Sequence, residues 1–200
     1  ALYLSGLDVS SHPPDGGDII NNCILIDNSM NPVKFVIPKP DEKKVKKWIK
    51  LAMDIVIPRG ITNIHDAWQD PVTVKVIQQL NKKDELPIRV YGILGSSYPK
   101  LLKQFFKEST FQSKNYTIRS VKAFIDGALG SRGAALLEPY SDNNNNCGLI
   151  LISVEEFKDL AHRCYDAGFQ LCTHAIGDRG NRVVLDVYSE TVKESKNHRW

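Results

Sequence analysis

The sequence predicts a parallel α/β protein, and three observations carry that reading. From residue 61 onwards strand-like and helix-like stretches alternate without a break. The helical stretches repeat their apolar residues at a period of 3.6. The apolar run that begins at Phe169 ends abruptly in Thr173-His174 and is followed by a glycine, an acid and a base, so His174 stands where a buried strand opens into a loop. Internal repeats are absent, and the one low-complexity tract is Asn143 to Asn146.

Residues 1 to 40 are irregular and rich in Pro, Gly and Asn. Two short apolar runs, 23–26 and 34–37, flank a turn-like stretch from Asn28 to Pro32, which predicts a small hairpin in an irregular excursion over 1–40 packed on the main domain over 41–200. From Asp41 a helix is predicted with Val45, Trp48, Ile49, Ala52 and Val56 on one face and lysines on the other, ended by Pro58 and Gly60. A strand over 61–67, a helix over 72–80, a strand over 88–94 and a helix over 98–107 follow. The third strand, 118–126, alternates Val121, Ala123 and Ile125 on one face with Ser120, Lys122, Phe124 and Asp126 on the other. After a loop from Gly127 to Leu149, longer than an ordinary strand-to-helix connection, a helix over 154–167 carries the stripe Phe157, Leu160, Ala161 and Cys164. Ser153 and Glu156 are spaced as its capping box and Gly168 as its terminating glycine. The fourth strand ends at His174, and a final helix reaches residue 195.

Composition excludes several classes. The 26 basic and 23 acidic residues give a net charge of +3, with the basic ones spread over helix faces and no interleaved aromatics, which argues against a nucleic-acid surface. The densest basic stretch, Lys43-Lys44 and Lys46-Lys47, reads as the solvated face of a helix. No apolar run approaches the length of a membrane span. The four cysteines show neither CxxC nor zinc-finger spacing, and Cys164 and Cys172 read as small core hydrophobes. Gly127, Gly130 and Gly133 form GxxGxxG, which is neither a P-loop nor a dinucleotide fingerprint. Compartment and oligomeric state stay open.

Four groups of motifs occur in order: ALYLSGLD with PPDGGDI near the start, GITNIHDA at 60–67, VKAFIDGALGSRGAALLEPYSD at 121–142, and HAIGDRGNRVVLD at 174–186. In these the chain resembles the metal-dependent amidohydrolases of the YtcJ-like, amidohydrolase-3 type. The resemblance implies a (β/α)8 TIM barrel holding one or two divalent metals, Zn2+ the first choice, that activate water against a C–N bond of a small amide-like substrate. Members of that family carry an HxH pair on the first barrel strand, a histidine on the strand after the HAIGDR segment and an aspartate on the last strand. This chain has no HxH and ends at Asn197-His198-Arg199-Trp200, so it is expected to be the central part of a longer hydrolase, inactive alone, with its general acid or base elsewhere.

The resemblance assigns His174 and Lys122 as metal ligands. A neutral imidazole at a strand end is a natural ligand for such an ion. An ammonium on the inner face of a barrel strand carries a large desolvation cost. The resemblance implies relief through carboxylation of Lys122 to a carbamate, while an ion pair with Asp126 or another acid is the competing reading. Asp126 reads as orienting a ligand, contacting substrate, or simply forming an Asp-Gly turn. Arg132, in the long loop, reads either as a clamp for a substrate carbonyl or carboxylate or as an ordinary loop hydrogen-bond donor. Asp178 is placed as the N-cap of the final helix or as a partner of His174. His65 is expected at a strand end, lining a substrate pocket or held by local hydrogen bonds. His162 lies opposite the apolar stripe of its helix and faces solvent, while His12 and His198 belong to terminal segments. Two rival functions stand beside the hydrolase: a Schiff-base barrel enzyme of aldolase type with Lys122 as nucleophile, and a barrel-derived binding module that has lost its metal.

Overall fold

The computed structural model describes residues 2–8, 11–13, 17–21, 23–192 and 199–200. The chain divides into two compact units, one made of 1–39, 124–154 and 174–186, the other of 40–123, 155–173 and 187–200.

In the first unit, β1 (Gly17–Ile20) and β2 (Ile24–Asp27) form an antiparallel hairpin with Ile20 opposite Ile24. Its reversal includes Asn21 in the left-handed conformation, φ 50°, a region asparagine tolerates, with Cys23 N–H donating to Ile20 O at 3.1 Å. Gly17 is required by close approach, since a Cβ there would lie 2.5 Å from Ser29 N. The predicted pairing of 23–26 with 34–37 is therefore wrong. Residues 28–30 form a 3-10 turn that runs into the short helix α1 (Asn31–Val36), and Pro32 sits in its first turn, where a missing N–H costs nothing. Pro14, Asp15 and Gly16 of the N-terminal motif lie outside the described residues.

The second unit opens with α2 (Glu42–Val56), capped by Asp41, whose carboxylate accepts from Lys44 N–H at 2.7 Å. Its buried positions are Val45 and Met53, with Ile49 and Val56 half-buried, a stripe rotated from the predicted one. Trp48 and Ala52 are exposed, and the Lys44 ammonium lies 5.2 Å from the Trp48 ring, where a cation is attracted by the π face. Lys46 and Lys50 both reach Glu85.

The sheet contains β3 (Asn63–Gln69), β4 (Arg89–Gly95), β5 (Phe111–Gln112), β6 (Tyr116–Phe124) and β7 (Gln170–His174), in the order β3-β4-β6-β5 with β7 also paired to β6. β3 with β4 and β4 with β6 are parallel. The helices α3 (Pro71–Lys82), α4 (Pro99–Glu108), α5 (Val154–Asp166) and α6 (Asp178–Val192) fall between and after the strands, as the alternation predicts. The four-strand, all-parallel expectation needs one correction: β5 is a fifth strand, antiparallel to the start of β6, and at two residues it is too short to show a period.

β6 carries a bulge. Gly92 lies opposite Ile118 while Ile93 lies opposite Ser120, so Arg119 is the extra residue. Beyond it Val121, Ala123 and Ile125 are buried, as expected, whereas Lys122 is half-buried and Phe124 is 40% exposed. Ser120 is also fully buried. In α5 the predicted stripe Phe157, Leu160, Ala161 and Cys164 is buried. The helix ends in a Schellman motif, with Gly168 at φ 75°, Gly168 N–H on Tyr165 O at 3.0 Å and Phe169 N–H on Cys164 O at 2.8 Å. α6 is described to Val192, and residues 193–195 of the predicted helix, like His198, lie outside the described residues. Among the described residues no helix is long and apolar enough to cross a membrane.

Candidate functional site

The glycine-rich motifs converge on one carboxylate. Just past the end of β6, Ile125 N–H donates to His174 O at 3.0 Å and Ile125 O accepts from Leu151 N–H at 2.9 Å, which fixes the backbone on both sides. Asp126 follows, completely buried and bridged to Ile150. Its Oδ2 accepts from Ala135 N–H at 3.0 Å and Gly177 N–H at 2.7 Å, and its Oδ1 accepts from Ile176 N–H at 3.0 Å. A charge taken out of water is tolerable only with such partners. The backbone approaches that permit this leave no space for side chains. A Cβ on Gly177 would stand 1.8 Å from Ala135 O, and one on Gly148, itself at φ 68°, would stand 1.9 Å from Ala134 O. Asp126 thus ties the segments around 135 and 176 to the end of β6, a larger role than any single reading of Asp-Gly predicted.

His174 is the last residue of β7, with a side chain 26% exposed. Its ring lies 5.1 Å from that of Phe124. Nε2 is 3.5 Å from Gly127 O and 3.8 Å from Asp126 Oδ1, both long for a hydrogen bond, so this nitrogen is not committed to a strong partner. The His174 carbonyl accepts from Ile125 N–H, and Ile176 N–H two residues on donates to Asp126, so the imidazole is carried on a fixed backbone.

Lys122 stands on β6 opposite Gly95, and its carbonyl accepts from Ser96 N–H at 2.9 Å. Burial pushes the nearby Cys172 thiol up, against a hydrogen bond from Ser120 and the Lys122 charge, which both favour the thiolate. A polar row that the sequence did not disclose crosses β4, β6 and β7. Tyr91 Oη and Ser120 Oγ are 2.6 Å apart, and Ser120 Oγ also donates to Gln170 Oε1 at 3.4 Å. His65 stacks on Tyr91 with ring centroids 4.9 Å apart. His65 is the third of seven residues in β3 instead of the end of its strand, because the strand continues to Gln69. There Asp66 accepts from Gln69 Nε2 at 2.9 Å while Gln69 Oε1 accepts from the buried Tyr116 hydroxyl.

Arg132 adopts φ 57° in the long loop, and its Nε and Nη2 donate to the two oxygens of Asp142 at 3.0 and 2.8 Å. Asp178 is the first residue of α6 and does not precede it. Its carboxylate accepts from Leu137 N–H and Arg179 N–H, both at 2.8 Å, so it fastens the loop to the helix instead of capping the helix or touching His174. Arg179 Nη2 donates to Cys147 O and Gly148 O, both at 3.3 Å. His162 is exposed, and all four cysteines are free thiols.

Among the described residues no three His, Cys, Asp or Glu side chains cluster as a metal site. The donors present fit a divalent ion in part. His174 offers an imidazole nitrogen, Lys122 becomes an oxygen donor only as a carbamate, and the Asp126 oxygens are already taken by three backbone N–H groups.

The sequence profile described as "Amidohydrolase family" matches residues 6–199. The chain belongs to the amidohydrolase family. Among the relatives of this chain are LONG AFTER FAR-RED 3 of Arabidopsis thaliana, 27% identical over 94% of this chain and 35% of that protein, and YtcJ of Bacillus subtilis (strain 168), 24% identical over 99% of this chain and 39% of that protein. The chain therefore spans well under half the length of either relative. A solved metal-dependent hydrolase from Pyrococcus horikoshii OT3 superposes with a TM-score of 0.74 at 26% identity, covering 95% of this chain and 38% of that one.

Proposed function

We propose that this chain forms the central part of a metal-dependent hydrolase that cleaves amide-like C–N bonds of a small molecule on a (β/α)8 barrel, with His174 and Lys122 each supplying a ligand. The observation that carries the reading is His174. It ends a sheet strand, on a backbone fixed by hydrogen bonds through Ile125 and Asp126, with Nε2 in no short hydrogen bond. The parallel ladders and the likeness to a solved metal-dependent hydrolase support it further. When bound, a divalent metal, Zn2+ the first choice and one or two in number, supplies Lewis acidity and lowers the pKa of water. The residues of this chain do the rest of what can be assigned. Asp126 and Asp178 hold the loops that frame His174, the neutral amine of Lys122 adds to CO2 and releases a proton to solvent to become a carbamate, and Arg132 and His65 contact substrate.

The test is made in the intact protein. His174→Ala and Lys122→Ala are each expected to lower bound metal, read by elemental analysis, and to abolish hydrolysis, while His162→Ala does neither. Bicarbonate added during metal reconstitution is expected to restore activity to CO2-depleted protein. Normal metal content and hydrolysis in Lys122→Ala would eliminate the carbamate, and substrate trapped on Lys122 by borohydride would move the assignment to the Schiff-base chemistry.

A further inference from the structure

The helix α2 carries two apolar stripes, and the second unit uses one of them. Val45 and Met53 are buried, with Ile49 and Val56 half-buried beside them. Trp48, Leu51 and Ile55, at 49%, 49% and 56% exposure, form a second stripe that faces solvent. At 3.6 residues per turn its centre lies roughly 120° round the helix from the centre of the first. Apolar residues scattered singly over a surface need no explanation, whereas a contiguous patch rimmed by charge marks an interaction surface.

The spacing says what covers it. Steps of three and then four residues are those of a heptad seam, with Trp48 and Ile55 at a and Leu51 at d. On the side of the seam away from the buried stripe stand Lys47 and Asp54, both at g, seven residues apart and opposite in charge. Both are exposed, and among the described residues no ion pair engages either, whereas Lys46 and Lys50 reach Glu85 at 2.9 and 3.3 Å. In an antiparallel helix pair about a twofold axis g faces g, so Lys47 of each protomer meets Asp54 of its partner, twice over. In a parallel pair g faces e, and the e positions here are Val45 and Ala52, which offer no charge.

We propose that the exposed face of α2 is a contact between two copies of this chain, packed antiparallel about a twofold axis. Trp48 of one protomer lies against Leu51 of the other, Ile55 lies against the aliphatic stem of Lys44, and the Lys47–Asp54 pairs close the solvent-facing edge. The Lys44 ammonium, 5.2 Å from the Trp48 ring, keeps its head in water while its stem covers apolar surface. The buried stripe is turned away from the seam, so the two protomers diverge from it without colliding. With 15 residues α2 provides about two heptads, a small interface whose association is weak and depends on concentration. None of the residues assigned to metal or substrate lies on this helix, so the contact stands apart from the hydrolase reading.

Sedimentation equilibrium of the protein over a concentration series tests it. The unaltered protein is expected to pass from one-chain to two-chain mass as concentration rises. Lys47→Glu and Asp54→Lys each turn two attractions into two repulsions, so each alone should weaken the association about tenfold. Mixed in equal amounts, the two variants should associate with each other as tightly as the unaltered protein does with itself, because every mixed contact again joins opposite charges. Trp48→Ala should give one-chain mass throughout. All three side chains are exposed, and circular dichroism is expected to show unchanged helix content in each variant. One-chain mass of the unaltered protein at every concentration would overturn the proposal, and protection of Trp48 in hydroxyl-radical footprinting would then assign the stripe to another segment of the same polypeptide. Association indifferent to the single charge reversals, or a mixture that associates no better than its components, would overturn it as well.

Discussion

Asp126 is the residue whose replacement the structure constrains most tightly. Its carboxylate accepts three backbone N–H groups at 2.7 to 3.0 Å in a site with no solvent exposure. A hydrogen bond to a charged group contributes about 1.5–3 kcal/mol, and a buried donor left alone costs about 1–3 kcal/mol. Asp126→Ala strands all three donors. Since bonds sharing one carboxylate do not add fully, the expected loss is about 4–5 kcal/mol, a large part of the roughly 5–15 kcal/mol that stabilises a domain. Asp126→Asn is the sharper perturbation because it keeps the shape. Its oxygen is best placed at the Oδ2 position, which serves Ala135 and Gly177, so the amide nitrogen then points at Ile176 N–H and one bond becomes a donor facing a donor. The expected loss is about 2–3 kcal/mol. Urea denaturation followed by circular dichroism measures both, and amide hydrogen exchange at Ala135, Ile176 and Gly177 reports the local consequence directly. A midpoint within experimental error of the unaltered protein for Asp126→Asn, or unchanged protection at those three amides, would refute the reasoning.

Gly92→Ala would place a Cβ 2.2 Å from Gln69 Oε1 and 2.8 Å from Gln69 Cδ, so the hydrogen-bonded Gln69–Tyr116 pair has to shift. We expect a loss of about 1–3 kcal/mol, read as a lower urea midpoint. Asp70→Ala removes the cap that accepts Thr73 N–H at 2.7 Å and should cost about 1 kcal/mol, with most of it returned by Asp70→Asn. Burial pushes the Cys164 thiol up to about 12, and burial likewise raises the Tyr188 hydroxyl to about 12. Each binds its proton more tightly folded than unfolded, so its contribution is whole below the unfolded value, about 8.5 for cysteine, and is lost as pH rises towards 12. Melting temperature should therefore fall between pH 8.5 and 11, and fall less in Cys164→Ala; parallel curves for the two proteins would contradict this.

Where a side-chain pattern alone decides structure, the sequence was readable. The strand cores and the Gly168 terminator follow from period and local chemistry, and they stand where the sequence places them. The errors have local causes. The hairpin reverses at Asn21, while the second asparagine-rich stretch, which has the same turn-like composition, starts a helix. The stripe on α2 was rotated because Trp48 was counted as core, whereas the flexible Met53 is buried in its turn of the helix. The bulge at Arg119 breaks the period within β6, which no two-residue pattern can announce. His174 and Lys122 were visible as chemistry, and the ends of the strands were placed to within about two residues. The hub at Asp126 was not, because its partners are backbone amides, which every residue possesses and no sequence marks. The hints lie in the glycines, among them Gly177, whose need for space is set by a carbonyl forty-two positions earlier at Ala135, and Gly180, where a Cβ would stand 2.7 Å from Asp126 Oδ2.

The spacing of the Asp126 partners also orders events on the ribosome. Ala135 follows Asp126 by 9 residues, but Gly177 follows by 51. At about 5–20 residues per second, roughly 3–10 seconds of translation separate the carboxylate from its last donor. Through that interval the nascent chain offers Asp126 one of its three amides, and the strand that ends in His174 has not been made. The segment from Gly127 to Ile150 consequently has to wait, hydrated and open to proteases, for a piece of polypeptide still inside the ribosome, and a chain stalled before residue 174 is expected to be cut there.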